Sequence, residues 1–388
     1  MKNINNIDLK KLNTLIFDLD GVITSEIKYW NTAKLTVWEL VCSDNYLGLN
    51  DYFGQSLDVS TRLLDIGKRI IPNDFIYQLS RAINSNWDLT FFVFSLHLLS
   101  IFQEVKKNEK KIFELFKNDH INIEDKLKEC LKSLNKLSYN DQISENIIKL
   151  FWQETQELRG NAVLNNLYSF SNNILGDHFS CFDSKGELWK LCYHNFQNWY
   201  EGKKGYTLPD DETVLDVNKI NHTLKILQDT GHYTLAIATG RPRNEVIQPL
   251  KALRLLQYFD QKRIVTYDEV LDAESKRSNS EEKIKLGKPH PFILLKAIYP
   301  DENIKKLCNE KFTLQNNQEI AYIGDAGSDV VAAKRAGCIS IGVLTGFATG
   351  KQKENKEQML KDLGCDIILE SILELPQLLE IQQNWKLK

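Results

Sequence analysis

Four short segments of this chain place charged or hydroxyl-bearing side chains directly after apolar runs or ahead of a helical pattern. The first, Asp18-Leu19-Asp20-Gly21-Val22, follows the run TLIF. In extended backbone, positions i and i+2 point to the same side, so Asp18 and Asp20 are expected to face one space. Gly21 would let the chain leave its strand through an unusual turn. The same letters would also suit a surface turn with two solvated acids. The second segment, Thr239-Gly240-Arg241-Pro242, follows the run YTLAIA and opens a helical pattern. There Thr239 offers a hydroxyl, Gly240 permits close backbone approach, and free N–H groups at a helix start suit an anion. A plain capped strand-to-helix turn is the competing account.

In the third segment, Gly287-Lys288-Pro289-His290-Pro291, a lysine is held near the start of a helix. Its charge could cover a phosphate or balance several carboxylates, although a lone lysine would usually be surface charge. His290 is expected to be a loop histidine without a chemical role. The fourth, Gly324-Asp325-Ala326-Gly327-Ser328-Asp329, follows the run IAYI. Paired acids in such a loop suit a hard cation held by oxygen ligands, or else an acidic helix cap. Taken together, the four segments are more informative. Four carboxylates gathered at one place repel one another and resist ionisation. A divalent cation and a lysine relieve this, and such a site suits an anionic substrate that bridges the cation.

The elements that must position these groups can be read from hydropathy. Short apolar runs suit strands buried on both faces of a parallel sheet. They recur at residues 14–19, 233–238, 263–266, 320–323, 340–343 and 366–369. Helical patterns occupy 218–229, 242–255, 289–298 and 328–336. This alternation predicts an α/β fold, a doubly wound parallel sheet with helices on both faces. Open sheets of this kind place ligands at the carboxyl ends of their strands. Residues 26–212 break the rhythm, with few strand signals and six of the seven tryptophans. The predicted organisation is a core of residues 1–25 and 213–388 with a mainly helical inserted domain at 26–212. The tryptophans are expected to build its core. Residues 106–135 read as a solvated helical face and 274–283 as a polar loop.

The ordered set DLDGV, ATGRP, GKPHP and GDAGSD resembles the four signatures of haloacid dehalogenase-like hydrolases, in particular the phosphoglycolate-phosphatase-like group. The tail IGVLTGFATG…LGCDIILESILEL is similar to that group's last strand and helix. The resemblance implies that Asp18 is a nucleophile forming an aspartyl-phosphate. It implies that Asp20 is a general acid–base and also lends its carbonyl to Mg2+. Thr239 and the Gly240 N–H would hold phosphoryl oxygens, Lys288 would neutralise nucleophile and phosphate, Asp325 would bind Mg2+, and Asp329 would support its waters or orient Lys288. Metal ligands would thus come from Asp18, Asp20, Asp325 and Asp329. The insertion sits where the family carries its first type of helical cap and is much larger than the usual four-helix version.

The expected activity is a Mg2+-dependent phosphatase acting on a small phosphorylated metabolite. Alternatives on the same core are a phosphomutase or a pyrophosphatase. A regulatory or protein-binding role for the large insertion is a third. A dehalogenase is disfavoured because Asp20 is present. Composition narrows the partners. Hydrophobic residues make up 42% and charged residues 26%, which is globular, and a net charge of -3 offers no electrostatic case for nucleic acid or an anionic membrane. The longest uncharged apolar run, residues 89–102, is too short to span a bilayer and is expected to be a buried helix. The odd count of seven cysteines, with no CxxC pair, argues against a disulfide framework or a thiolate zinc site. A cytoplasmic location and a possible homo-oligomer through the insertion complete the expectations. Arg159, Lys203 and Lys204 are candidate contacts for an anionic tail, or ordinary surface charge.

Overall fold

The computed structural model describes residues 7–49, 85–105, 110–118, 120–134, 143–158, 161–209, 212–277, 285–309, 312, 314, 319–346 and 351–381. Arg159, residues 278–283 of the anticipated polar loop, and residues 106–109, 119 and 135 of the charged stretch lie outside the described residues. The chain divides into two compact units, residues 1–26 with 210–388, and residues 27–209.

The first unit is built on a six-stranded, all-parallel sheet: β1 Thr14–Phe17, β2 Thr234–Ala238, β3 Ile264–Val265, β4 Ile320–Gly324, β5 Ile339–Val343 and β6 Ile367–Leu369. The strand order is β3-β2-β1-β4-β5-β6. The central strand β1 pairs with β2 (Leu15 opposite Leu235) and with β4 (Leu15 opposite Ala321). Its side chains divide between two cores. Leu15 and Phe17 join Ile220, Leu224 and Val246 on one face, while Ile16 joins Phe292, Leu295 and Ala333 on the other. Burial on both faces is why these strands read as continuous apolar runs rather than alternating ones.

Helix starts depart from expectation by a residue or two, and the causes are local. The helix after β2 runs Asn244–Ala252 with Arg243 as its N-cap, so Pro242 stands before the helix rather than in its first turn. Pro249 sits inside it and has no N–H for the Glu245 carbonyl; that carbonyl instead accepts from Arg241 Nη1 at 3.3 Å. The helix after Lys288 begins only at Phe292. Its approach is shaped by His290, which is buried and accepts the Phe292 N–H at Nδ1 (3.1 Å). Residues 274–277, read as loop, extend the helix Tyr267–Arg277.

Every regular element among the described residues of the second unit is helical, with α-helices Ile27–Cys42, Asn86–Val105, Lys110–Lys117, Ile123–Leu134, Glu145–Glu154, Asn161–Leu175 and Glu187–Tyr200. Asn86–Val105 contains the long apolar run, and every residue from Leu89 to Phe102 is buried. Among the described residues no helix is long and apolar enough to cross a membrane. Phe102 lies 4.7 Å from the Phe116 ring centroid and also meets Phe113, Phe179 and Phe182. Five tryptophans of this unit are buried; Trp189 is half-buried and donates to Asp88 at 2.7 Å. The charged stretch is amphipathic rather than wholly solvated, because Ile112, Phe116, Leu127 and Cys130 turn inward. All seven cysteines are free, and six of them are buried.

Candidate active site

The parallel topology delivers three of the four segments to the same edge of the sheet. β1, β2 and β4 are adjacent, so the residues after their carboxyl ends, Asp18, Thr239 and Asp325, emerge side by side. Backbone ladders carry the chain one step beyond the strands: Asp18 N–H donates to Ile323 (2.9 Å) and Thr239 N–H to Val265 (3.1 Å). Immediately after Asp18 the chain folds into a tight turn. The N–H groups of Ile23 and Thr24 both donate to the Leu19 carbonyl at 2.9 Å, and Gly21 adopts φ 71°. A side chain at position 21 is excluded twice over, by that backbone and because its Cβ would lie 2.3 Å from Asp325 Oδ2. On β4, a Cβ at Gly324 would lie 2.4 Å from Cβ of Asp329. This bare position lets Asp329, in the first turn of the helix Gly327–Ala336, fold back so that its Oδ2 accepts the N–H groups of Asp325 (3.1 Å) and Ala326 (3.0 Å).

Lys288 ties the cluster together. Its Nζ donates to Asp18 Oδ2 and Asp329 Oδ1, each at 2.7 Å, and lies 3.3 Å from the hydroxyl of Tyr322. Burial opposes a charged ammonium, but Asp18 and Asp329 outweigh it and hold Lys288 well above its usual pKa. Asp18 is raised as well, which for a carboxylate favours the uncharged form. Desolvation raises it, Lys288 lowers it, and Asp329 and Asp20 raise it again, leaving it pushed up to about 7. Its second oxygen, Oδ1, is buried and has no hydrogen-bond partner among the described residues. An orphaned carboxylate oxygen is costly unless something else occupies that direction. Asp18, Asp325 and Asp329 each offer an oxygen within 4.8 Å of the others. The donors are all carboxylates, a set that suits a hard divalent cation.

The remaining anticipated residues are placed differently. Asp20 stands outside that trio, and its Oδ1 accepts from Arg241 Nε (2.8 Å) and Nη2. Thr239 is buried, with its hydroxyl accepting weakly from the Arg241 N–H at 3.4 Å. Gly240 is exposed, with open space where a Cβ would stand. Neither is hydrogen-bonded to the carboxylate cluster.

Several side chains of the site were not singled out from sequence. Tyr322 donates to the Ala238 carbonyl (3.0 Å) and touches Asp329 Oδ1 (3.2 Å), linking β2, β4 and the Lys288 cluster. A tyrosine in the middle of a doubly buried strand is itself a signal, because its hydroxyl needs a partner. Arg241 adjoins the Thr239-Gly240 motif, yet nothing local shows that it reaches back to Asp20. Glu26, just beyond the first motif, is held well above the usual carboxylate range by desolvation and then by Asp20 and Asp325. Lys356 donates to Asp325 Oδ2 at 2.7 Å from a helix of surface-like composition.

With this geometry in view, similarity to known proteins becomes decisive. Residues 190–343 match the family model described as haloacid dehalogenase-like hydrolase. The chain carries a haloacid dehalogenase-like domain. The matched stretch contains Thr239, Gly240, Lys288, Asp325 and Asp329, and the sheet joins Asp18 and Asp20 to them. A protein named phosphoglycolate phosphatase from Mannheimia succiniciproducens is 26% identical over 196 residues, covering 46% of this chain and 71% of the relative. One named pyrophosphatase PpaX from Bacillus mycoides is 29% identical over 175 residues, covering 45% of this chain and 64% of the relative. A structural-genomics target solved by X-ray crystallography matches with a TM-score of 0.68 and 28% identity, over 95% of this chain and 98% of its own. The fold of that target is therefore shared along nearly the whole chain.

Proposed function

We propose that this protein is a Mg2+-dependent phosphatase that hydrolyses a small phosphorylated metabolite through an aspartyl-phosphate on Asp18. One observation carries this reading: Asp18 has one oxygen clamped by Lys288 while the other, Oδ1, is buried at the sheet edge and unpartnered among the described residues. Asp18 Oδ1 would attack phosphorus as the bond from phosphorus to the leaving oxygen breaks, and Asp20 would give that oxygen its proton. Arg241 engages Oδ1 of Asp20, and Oδ2 is assigned the proton. Asp20 would then take a proton from water as the water oxygen attacks the acyl phosphate. The bond from phosphorus to Asp18 breaks, and inorganic phosphate leaves.

Asp18, Asp325 and Asp329, with the Asp20 carbonyl, are the groups that would hold Mg2+, whose charge offsets that of the carboxylates and the phosphoryl oxygens. Lys288 neutralises Asp18 before attack and the phosphoryl group during it. Thr239 and the Gly240 N–H are assigned to the phosphoryl oxygens; the open space at Gly240 favours close approach of an anion. The helical unit, inserted after Glu26, is assigned the selection of substrate. The names of the two relatives favour a phosphate monoester or a diphosphate over other esters.

The test is phosphate release over a metabolite panel that includes 2-phosphoglycolate and pyrophosphate, with Mg2+ and with chelator, alongside Asp18→Asn. One strongly preferred compound, released only with Mg2+ and Asp18, is the expected outcome. Release that survives Asp18→Asn would end the covalent reading.

A further inference from the structure

One cation of this site belongs to none of the four motifs. Lys356 lies on the helix Lys351–Asp362, whose sequence KQKENKEQMLKD reads as solvated surface. Its side chain is nevertheless only 11% exposed. The Nζ donates to Asp325 Oδ2 at 2.7 Å and to the Thr345 carbonyl at 2.6 Å. Thr345 in turn donates from its hydroxyl to the Gly21 carbonyl at 2.6 Å, so the contact is embedded in the turn that follows Asp18.

The other two cations of the site have different partners: Lys288 bridges Asp18 and Asp329, and Arg241 holds Asp20. Among the described residues Lys356 alone is paired with Asp325, one of the three carboxylates able to meet at a metal. Resting on the metal-dependent reading above, we propose that Lys356 is a tethered monovalent cation that competes with the divalent ion at Asp325 and sets the ion concentration at which the site fills. Two effects of such a lysine oppose each other. A hydrogen bond to a ligating carboxylate can orient it and strengthen metal binding. A positive charge beside the ion repels it.

The structure favours repulsion, because Asp325 is already fixed without Lys356. Its backbone N–H is anchored on Asp329, and its Oδ2 is lodged so closely against Gly21 that no Cβ would fit there. Removing Lys356 therefore takes away a charge without freeing the ligand. The formal charges agree. Counted as fully ionised, Asp18, Asp20, Asp325 and Asp329 outnumber Lys288, Arg241 and Lys356 by one, with Glu26 left out because it is held well above the usual carboxylate range; without Lys356 the deficit equals the charge of one divalent ion.

Calorimetric titration of Mg2+ into the full-length, chelator-treated protein tests this, using wild type, Lys356→Met and Lys356→Arg at fixed ionic strength. Lys356→Met should bind Mg2+ about tenfold more tightly, while Lys356→Arg, which retains the charge, stays close to wild type. Unchanged affinity in Lys356→Met would overturn the proposal, and weaker affinity would make Lys356 a support of the ligand instead. No Mg2+ binding by wild type would remove the metal-dependent reading and this proposal with it. Binding by wild type with no gain in the variant would remove this proposal alone. Lys356→Gln, checked by thermal melting, serves if the methionine variant does not fold.

Discussion

Buried acids are treated differently in the two units of this chain. In the helical unit Glu39 has both oxygens answered: Oε1 accepts from Lys204 at 2.7 Å and Oε2 from the Trp199 indole at 2.8 Å. Lys204 also donates to Asn195 (2.8 Å), which accepts from Tyr46 as well (3.2 Å). In the sheet unit Asp18 has one oxygen answered and one left bare, among three further carboxylates. A completed network fixes the packing of helices distant in sequence, Ile27–Cys42 against Glu187–Tyr200. An incomplete one keeps free energy in reserve for a ligand. Lys204, a candidate for a substrate's anionic tail, thus has a structural occupation in the first kind of network.

This contrast can be broken or sharpened by experiment. The largest effect is expected from Asp18→Asn, which should lower phosphate release by about 10³-fold or more while the protein stays folded. Substantial turnover in that variant would erase the distinction. Lys288→Met should cost both activity and about 3–5 kcal/mol of stability, because it leaves two buried carboxylates without their cation. Urea unfolding reads this, and a loss below about 1 kcal/mol would mean the bridge between Asp18 and Asp329 contributes little.

In the helical unit Phe102→Ala should cost about 3–5 kcal/mol, since Phe102 is the ring on which four other phenylalanines converge. An unchanged denaturation midpoint would show that this cluster is not the unit's core. Glu39→Gln should cost less, about 1–3 kcal/mol, by weakening a satisfied network rather than opening a cavity.

The smallest effect is in pH dependence. Asp18 is raised from its ordinary 3.8 to about 7, so the metal-free folded protein keeps a proton there that the unfolded chain has already released. Its contribution to stability is therefore complete below about 4 and is lost as pH rises toward 7. In chelator, the melting temperature of Asp18→Asn relative to wild type should rise by at least about 2 °C between pH 5 and pH 8. A difference that stays flat or reverses would show that Lys288 neutralises Asp18 in full.

Much of the sheet unit was legible because its physics is local. A strand buried on two faces must be a short apolar run, so β1, β2, β4 and β5 show themselves, and the motif residues follow where those runs stop. The aromatic core of the helical unit was equally plain from its tryptophans and its apolar helix. Element ends were less so. The helix starts near Pro242 and Pro289 were placed too early, because proline tolerates the first helical turn without requiring it.

What the sequence determined by itself was the set of chemical groups and the strands that would carry them: Asp18, Asp20, Thr239, Lys288, Asp325 and Asp329 on an α/β sheet. What only the tertiary structure decided was who meets whom. Arg241 reaches Asp20 from 221 residues away, and Lys356 reaches Asp325 from 31. Neither pairing leaves a trace in its own neighbourhood, since a lysine or arginine on a polar helix or turn looks the same whether its charge ends in water or on a carboxylate. Hydropathy reports what a segment must bury. The strand order and the crossovers between strands set the distances across which charges are paired.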